Sequence, residues 1–323
     1  MRPAHIGLAV LVTGIWGVNF VVIEVGLDHF PPLLFSALRF FAAALPAVFF
    51  VGRPKVAWKW IVGVGLALGV AKFGLLFTGM YEGMPAGLSS LVLQVQAVFT
   101  ALIAIAFLGE RPGRLRLLGM AVALAGIAVA AVDEGASGPV LGFAMVVTAA
   151  AFWGVSNVLT RKAAPPDALN FMVWVSTVPV LPLLGLSLLV EGPEKDLDAL
   201  RGLDWTGIGV IVFVAWVVTV FGFGAWGFLL GRYPASSVAP FTLLVPVFGM
   251  SSAALLLGEG IGPLRWCAAA LLVGGVALTS FARPSAPVRR DGPVRDPRPA
   301  AVAAAASPGR PDPLRTSDAA PRP

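Results

Sequence analysis

Several strongly polar side chains lie inside long apolar runs of this sequence. Asn19 and Asn157 are embedded in the similar stretches WGVNFV and WGVSNV, and Arg39 and Lys72 are cations within apolar runs of their own. A charged group in such surroundings normally faces a cavity or a partner, and a side-chain amide there needs a hydrogen-bond partner. These residue types predict a polar site enclosed by helices, with the chemistry to hold a small polar molecule.

Each of these four residues also has a purely structural interpretation. Asn19 and Asn157 either hydrogen-bond to neighbouring helices or contact a zwitterionic substrate. Arg39 either reaches backbone carbonyls near the membrane surface or faces a cavity. Lys72 either pairs with a carboxylate or takes part in recognising the substrate, and we favour the second interpretation for it.

Ser90 and Gln94 provide a further polar face. They are four residues apart and therefore share one face of a helix, whereas Gln94 and Gln96 are about 200° apart. We predict that Ser90 and Gln94 line a cavity and that Gln96 forms a bond between helices. Trp16 and Trp153, which begin the two similar stretches, either line the same cavity or pack between helices.

The composition indicates what kind of chain positions these residues. Of 323 residues, 58% are hydrophobic and 12% are charged, and the mean hydropathy is +0.87. Roughly 20 apolar residues suffice to cross the hydrocarbon core of a bilayer. Ten apolar runs of about this length occur, at about 5–27, 31–52, 60–80, 84–108, 115–132, 139–160, 168–190, 207–230, 234–257 and 264–281. We therefore predict an all-α, polytopic membrane protein with ten transmembrane helices.

The basic residues indicate the orientation in the membrane. The net charge of +6 would also suit a nucleic-acid-binding protein, but all Lys and Arg residues except Arg39 and Lys72 lie in short loops and a tail, so no nucleic-acid partner is expected. Loops on one side of the predicted membrane, together with the tail, hold 18 of the 23 Lys and Arg residues, and the opposite loops hold Lys195, Arg201 and Arg265. The positive-inside rule then predicts that both termini are cytoplasmic.

Other classes of protein lack support. Residues 283–323 are rich in Pro, Ala and Arg and predict a disordered cytoplasmic tail that is solvated or contacts anionic membrane lipid. The single cysteine, Cys267, has no disulfide partner in the chain, and the two histidines lie far apart, so we predict no metal site and no cofactor. No nucleophile elbow, Walker loop or HExxH motif occurs, so we do not expect an enzyme.

The chain also contains an internal repeat. Residues 84–110 align without gaps on residues 233–259, and WGVNFV returns as WGVSNV 137 residues later. We therefore divide the chain into a first repeat, 1–135, and a second, 136–282, each with five helices, followed by the tail at 283–323. Because five is odd, the second repeat crosses the membrane in the opposite sense. Secondary transporters use such inverted repeats to place a substrate site between the halves.

The repeat also helps to separate functional from structural polarity. Lys72 aligns with Phe221, and Gln94 aligns with Leu243. A residue that the scaffold requires would tend to be polar in both halves. A polar residue that occurs in just one of the two halves therefore indicates a role in function.

The motifs together resemble those of a known family. WGVNFVVIEVGL, PPLLFSALRF, GMPAGLSSLVLQVQAVFTALIAIAFLGER and LGRYPASSVAPFTLLVPVFGMSSAALLLGE resemble the EamA family of the drug/metabolite transporter superfamily, over about residues 5–282. The resemblance implies a central cavity between the halves and a small-molecule substrate that is exported across the inner membrane. The implied substrates are cysteine-pathway amino acids, cysteine and O-acetylserine. Other metabolites (purines, sugars, aromatic amino acids) and a non-transporting receptor or scaffold stay open as alternatives. Assembly of the protein as a homodimer stays open as well.

Overall fold

A computed structural model describes residues 1–109, 112–135 and 139–281. Within these ranges the chain is built from helices and short connections, and no strand is present. The predicted all-α class is therefore confirmed for this part of the chain. The predicted tail, residues 283–323, lies outside the described residues.

The helices follow one another with short connections. We number them α1 to α11, and α8 is a short helix in the longest connection. Their bounds are Pro3–Leu27 (α1), Pro32–Val48 (α2), Trp58–Tyr81 (α3), Ala86–Leu108 (α4), Arg114–Glu134 (α5), Val140–Ala163 (α6), Ala168–Val190 (α7), Pro193–Arg201 (α8), Trp205–Arg232 (α9), Ala239–Leu256 (α10) and Pro263–Phe281 (α11).

The length and apolar composition of these helices show a polytopic membrane protein. In the described residues, eight helices are long and apolar enough to cross a membrane, and α2 and α11 are shorter apolar helices. Many of their large apolar side chains point outward, among them Phe107, Leu189 and Leu255. Such a surface is expected to face lipid, since lipid rather than water surrounds a membrane-spanning bundle. The count of ten transmembrane helices stays a prediction.

Four of the helices depart from regular α geometry. Helix α3 contains a π-helical segment at Gly65–Phe73, and α9 contains one at Phe213–Phe221. Helix α4 contains a 3₁₀ turn at Leu93–Val95, and α10 begins with a 3₁₀ segment at Ala239–Leu243. Each irregularity in the first half thus has a counterpart about 148 residues later in the second half. Irregular turns of this kind are frequent at functional sites.

The two similar stretches WGVNFV and WGVSNV pack in similar ways. A Cβ atom added at Gly17 would lie 2.5 Å from the Cβ atom of Phe248, and one added at Gly154 would lie 2.9 Å from the Cβ atom of Phe99. Phe99 and Phe248 are themselves aligned in the repeat. Glycine at these positions lets α1 approach α10, and α6 approach α4, at backbone distance, which is how small residues act between membrane helices.

Carboxylates outside the apolar helices hold helix ends in place. The Glu191 carboxylate accepts hydrogen bonds from the backbone N–H groups of Leu33 (2.7 Å) and Leu34 (3.1 Å) at the start of α2. Asp204 caps α9 by accepting from the Gly207 N–H, and this bond lowers the pKa of Asp204 below its usual value. Negative groups at helix N-termini satisfy free N–H donors and complement the helix dipole.

Candidate functional site

A cavity of about 400 Å³ lies between the helices. Side chains from α1, α2, α3, α4, α6, α7, α9 and α10 line it, so both halves of the chain contribute. Seven of the eight residues that the sequence singled out lie in its wall: Trp16, Asn19, Arg39, Lys72, Gln94, Trp153 and Asn157. The fold therefore brings these residues together, and their role in binding stays a prediction.

Arg39 and Lys72 meet at one aromatic ring. The Arg39 Cζ atom lies 3.9 Å from the centroid of the Phe73 ring, and the Lys72 Nζ atom lies 3.3 Å from the same centroid. Both residues are buried, with 1% and 4% of their surface exposed. The negative face of an aromatic ring attracts a cation, and the attraction grows when the cation is desolvated. Phe73 therefore holds two like charges close together.

The surroundings of the two cations distinguish between their interpretations. Arg39 does not reach backbone carbonyls near the surface; its Nη2 donates to the Thr219 hydroxyl (3.2 Å), while Nε and Nη1 are buried without a partner. Among the described residues, no carboxylate lies within ion-pair distance of Lys72. A structural ion pair therefore does not account for Lys72.

Trp16 and Trp153 occupy different surroundings. Trp16 packs against Phe223 and Trp226, and its Nε1 donates to the Val218 carbonyl (3.2 Å). Val218 lies in the π-helical segment of α9. The Gly222 N–H bonds to the Thr219 and Val217 carbonyls there, so it does not occupy the Val218 carbonyl four residues back.

The other tryptophan, Trp153, lies beside Lys72 instead, with the ammonium nitrogen 4.8 Å from its ring. Both tryptophans line the cavity, and each also packs between helices. The two interpretations of these residues are therefore not exclusive.

Gln94 donates to a carbonyl that lacks the usual helical N–H donor four residues later. Pro246 has no N–H group to donate to Thr242, the residue four positions earlier. The Gln94 Nε2 donates to that Thr242 carbonyl at 3.0 Å. This bond joins α4 in the first half to α10 in the second, at the cavity wall.

The two asparagines differ in how well they are satisfied. Asn157 Nδ2 donates to Gln96 Oε1 (2.8 Å) and to Thr100 Oγ1 (3.1 Å), so it joins α6 to α4. Asn19 Oδ1 is buried and has no hydrogen-bond partner. The repeat explains the difference, because it aligns Gln96 and Thr100 with Val245 and Gly249, which offer no polar side chain.

The prediction that Ser90 shares the cavity face of Gln94 is wrong. Ser90 is buried between helices: its hydroxyl donates to the Gly87 carbonyl, and its side chain packs against Gly249. Gln96 lines the cavity as well as bonding to Asn157. The 3₁₀ turn between Ser90 and Gln96 explains both results, because it turns the chain by about 120° per residue instead of about 100°.

Sequence reasoning missed three residues of the site, Phe73, Thr219 and Thr242. An apolar ring such as Phe73 carries no signal of its own, although its position next to Lys72 is suggestive. The Thr242 carbonyl was open to prediction, since it lies four residues before Pro246. Conversely Phe221, which the repeat aligns with Lys72, is an exposed residue and does not line the cavity.

Comparisons with known proteins agree with this architecture. The model of the EamA-like transporter family matches residues 4–132 and again residues 140–281. A Salmonella typhimurium protein named "probable amino-acid metabolite efflux pump" is 42% identical over 281 residues, which cover 85% of this chain and 94% of that protein. The Escherichia coli protein of the same name is 41% identical over 280 residues, with the same coverage.

More distant proteins extend the comparison. A Streptantibioticus cattleyicolor protein named "probable terminal-alkyne amino-acid exporter" is 28% identical over 278 residues, which cover 83% of this chain and 91% of that protein. A solved crystal structure superposes with a TM-score of 0.60 at 18% identity, over 90% of this chain and 100% of the other, and supports the fold alone. With two matches of the family model and relatives above 40% identity, this multi-pass membrane protein belongs to the EamA-like transporter family.

Proposed function

We propose that this protein is a secondary transporter that exports small polar metabolites, with the cysteine-pathway amino acids cysteine and O-acetylserine as its substrates. The observation that carries the proposal is the cavity between the helices, in which amide, aromatic and cationic side chains converge. Pockets of this kind, apolar with a few placed polar groups, are typical of small-molecule sites. The names of the relatives, an amino-acid metabolite efflux pump and an amino-acid exporter, support export and the amino-acid class.

In the proposed mechanism the two halves rock around the cavity and open it to each side in turn. The proposal requires ten transmembrane helices arranged as an inverted repeat of five and five. Three observations support it: the aligned stretches of sequence, the paired irregular segments in α3 and α9, and the paired contacts of Gly17 with Phe248 and of Gly154 with Phe99. The two glycine contacts would then act as equivalent pivots.

We propose further that both termini face the cytoplasm, because the basic residues concentrate in alternate loops. A reporter enzyme that is active only in the periplasm should be active when fused after Asp198 and silent when fused after Arg114. Measurement of both fusions at matched expression tests the orientation, and the reverse pattern of activity would refute it.

The export function is tested by efflux from cells that overproduce the protein. Cells preloaded with radiolabelled cysteine or O-acetylserine should lose label several times faster than cells with an empty vector. Labelled adenine, a sugar and phenylalanine serve as controls for the alternative substrates and should leave at the same rate in both strains. Faster loss of a control compound, with cysteine and O-acetylserine unaffected, would replace the proposed substrates. No effect on any compound would favour a receptor or scaffold.

A further inference from the structure

The cavity has an unusual balance of charge. Arg39 and Lys72 both line it, and no Asp or Glu side chain lines it among the described residues. The Arg39 Cζ atom lies 3.9 Å and the Lys72 Nζ atom 3.3 Å from the centroid of the Phe73 ring, so the two charged groups are at most about 7 Å apart. Like charges at that distance repel each other. The Phe73 ring offsets part of this repulsion but supplies no negative charge. The residues that line the cavity therefore supply no negative charge of their own.

Arg39 also has unused hydrogen-bonding capacity. One of its nitrogens donates to the Thr219 hydroxyl, which itself donates to the Val214 carbonyl, whereas Nε and Nη1 are buried without partners. Buried charged groups that remain unpaired are strongly destabilising, and carboxylates are the groups that a guanidinium binds best. A carboxylate in the cavity beside Arg39 and Lys72 would supply the negative charge that both cations lack.

A second residue of the cavity wall has an acceptor that lacks a donor, whereas Arg39 has donors that lack an acceptor. Asn19 lines the cavity, and its Oδ1 is a buried acceptor without a donor. A substrate ammonium group is a donor of three hydrogen bonds. The residues that line the cavity thus include two cations and one with an acceptor that lacks a donor, which together are the complement of a zwitterion.

Resting on the proposed export function, we infer that Arg39 and Lys72, joined by Phe73, form a carboxylate subsite, and that Asn19 accepts a hydrogen bond from the substrate ammonium group. The cavity then selects molecules with a free carboxylate. α-Amino acids meet this requirement, whereas sugars and uncharged purines do not. The subsite is confined to α2 and α3 of the first half and has no equivalent pair of cations in the described part of the second half.

The inference is tested with matched ligands on the purified full-length protein. The ligands are O-acetyl-L-serine, its methyl ester, which lacks the carboxylate, and N,O-diacetyl-L-serine, which lacks the ammonium group. The concentration of each that half-maximally raises the thermal unfolding temperature measures its binding. We expect the ester to bind at least about tenfold more weakly than the acid, because it loses charge-assisted hydrogen bonds. N,O-Diacetyl-L-serine should also bind more weakly than O-acetyl-L-serine, because N-acetylation removes the ammonium group that donates to Asn19.

Two variants link this selectivity to the named residues. In Arg39→Gln the acid and the ester should bind equally weakly. The same result is expected in Lys72→Met, which also serves as the test if Arg39→Gln does not fold. In Asn19→Leu the diacetyl compound should bind as well as O-acetylserine. Lys59→Met is the matched control, because Lys59 is an exposed lysine of the same helix that lies outside the cavity. The control should keep the selectivity of the unaltered protein.

The outcomes separate the subsite from the export function. If the unaltered protein exports O-acetylserine but binds the ester as well as the acid, or if both Arg39→Gln and Lys72→Met keep the selectivity, the subsite is wrong and the function stands. If the protein neither binds nor exports amino acids, the function is wrong, and propionate then serves as the probe. Stabilisation by propionate that is lost in Arg39→Gln supports the subsite, and no stabilisation overturns it.

Discussion

Lys72→Met is expected to abolish efflux while the protein folds normally. Methionine keeps the length and the apolar stem of lysine, and its thioether packs well against aromatic rings such as Phe73 and Trp153. No carboxylate in the described chain is left unpaired by the change. Removal of one of two neighbouring cations should even relieve repulsion, on the order of 2 kcal/mol at an effective dielectric constant near 20. We therefore expect an unchanged or raised thermal unfolding temperature.

Lys72→Arg separates charge from proton exchange. A lysine without a fixed carboxylate partner can alternate between a proton and a substrate, which proton–substrate antiport requires. Guanidinium stays protonated in the physiological range, so the arginine variant keeps the charge but cannot release a proton. We expect it to bind substrate and to lose the dependence of efflux on external pH. Lys72→Met, which has no titratable group at this position, should show no pH-dependent component of efflux either.

Thermal unfolding and pH-dependent efflux of both variants, measured in parallel, distinguish this role from a structural one. Lys59→Met again serves as the control for loss of a positive charge and should resemble the unaltered protein in both assays. A destabilised methionine variant beside a fully active arginine variant would show that Lys72 is a structural residue.

Gln94→Leu is expected to reduce efflux by at least about tenfold, with little change in stability. Leucine occupies the aligned position 243, so the fold accepts it at this place in a half. The substitution removes the bond from Gln94 Nε2 to the Thr242 carbonyl, to which Pro246 cannot donate and toward which the Leu244 N–H still points. The carbonyl borders the cavity, where water can satisfy it at small net cost. The polar contact between α4 and α10 at the site is lost all the same.

A matched control exists on the outer surface. Thr148 is exposed and bonds only within its own helix, to the Ala144 carbonyl. Thr148→Val should therefore leave both efflux and unfolding temperature unchanged at equal expression. If Gln94→Leu transports as well as this control, Gln94 has no part in the site.

The repeat made much of the site predictable from the sequence. It placed Asn19 and Asn157 in two similar stretches, one position apart in the alignment, and the residues aligned with the partners of Asn157 are Val245 and Gly249, which offer Asn19 no polar side chain. The polar residues within apolar runs also indicated the cavity, because few other locations tolerate Arg39 or Lys72. Both inferences rest on the high energetic cost of polarity in apolar surroundings.

The errors arise where the helices are irregular. Ser90 and Gln94 share a face only if the turn between them is regular, and the sequence LQV gives no sign of a 3₁₀ turn. The alignment of Lys72 with Phe221 likewise assumes that the two π-helical segments begin at equivalent residues. An alignment of letters counts residues, whereas the direction of a side chain depends on the turn per residue, which the packing of other helices decides.

The π-helical segments of α3 and α9 also limit changes of chain length. A π turn accommodates one more residue than an α turn does, so removal of a single residue from Gly65–Phe73 would allow α3 to return to regular geometry. The parts of α3 before and after the segment would keep their mutual orientation, whereas a deletion from a regular α turn would rotate them by about 100°. The side chains inside the segment, among them Leu68 and Lys72, would instead change their angular spacing, and both line the cavity. Loops usually absorb insertions and deletions, but these two helices each contain a segment that could absorb a single-residue change, and the change would move side chains at the cavity wall.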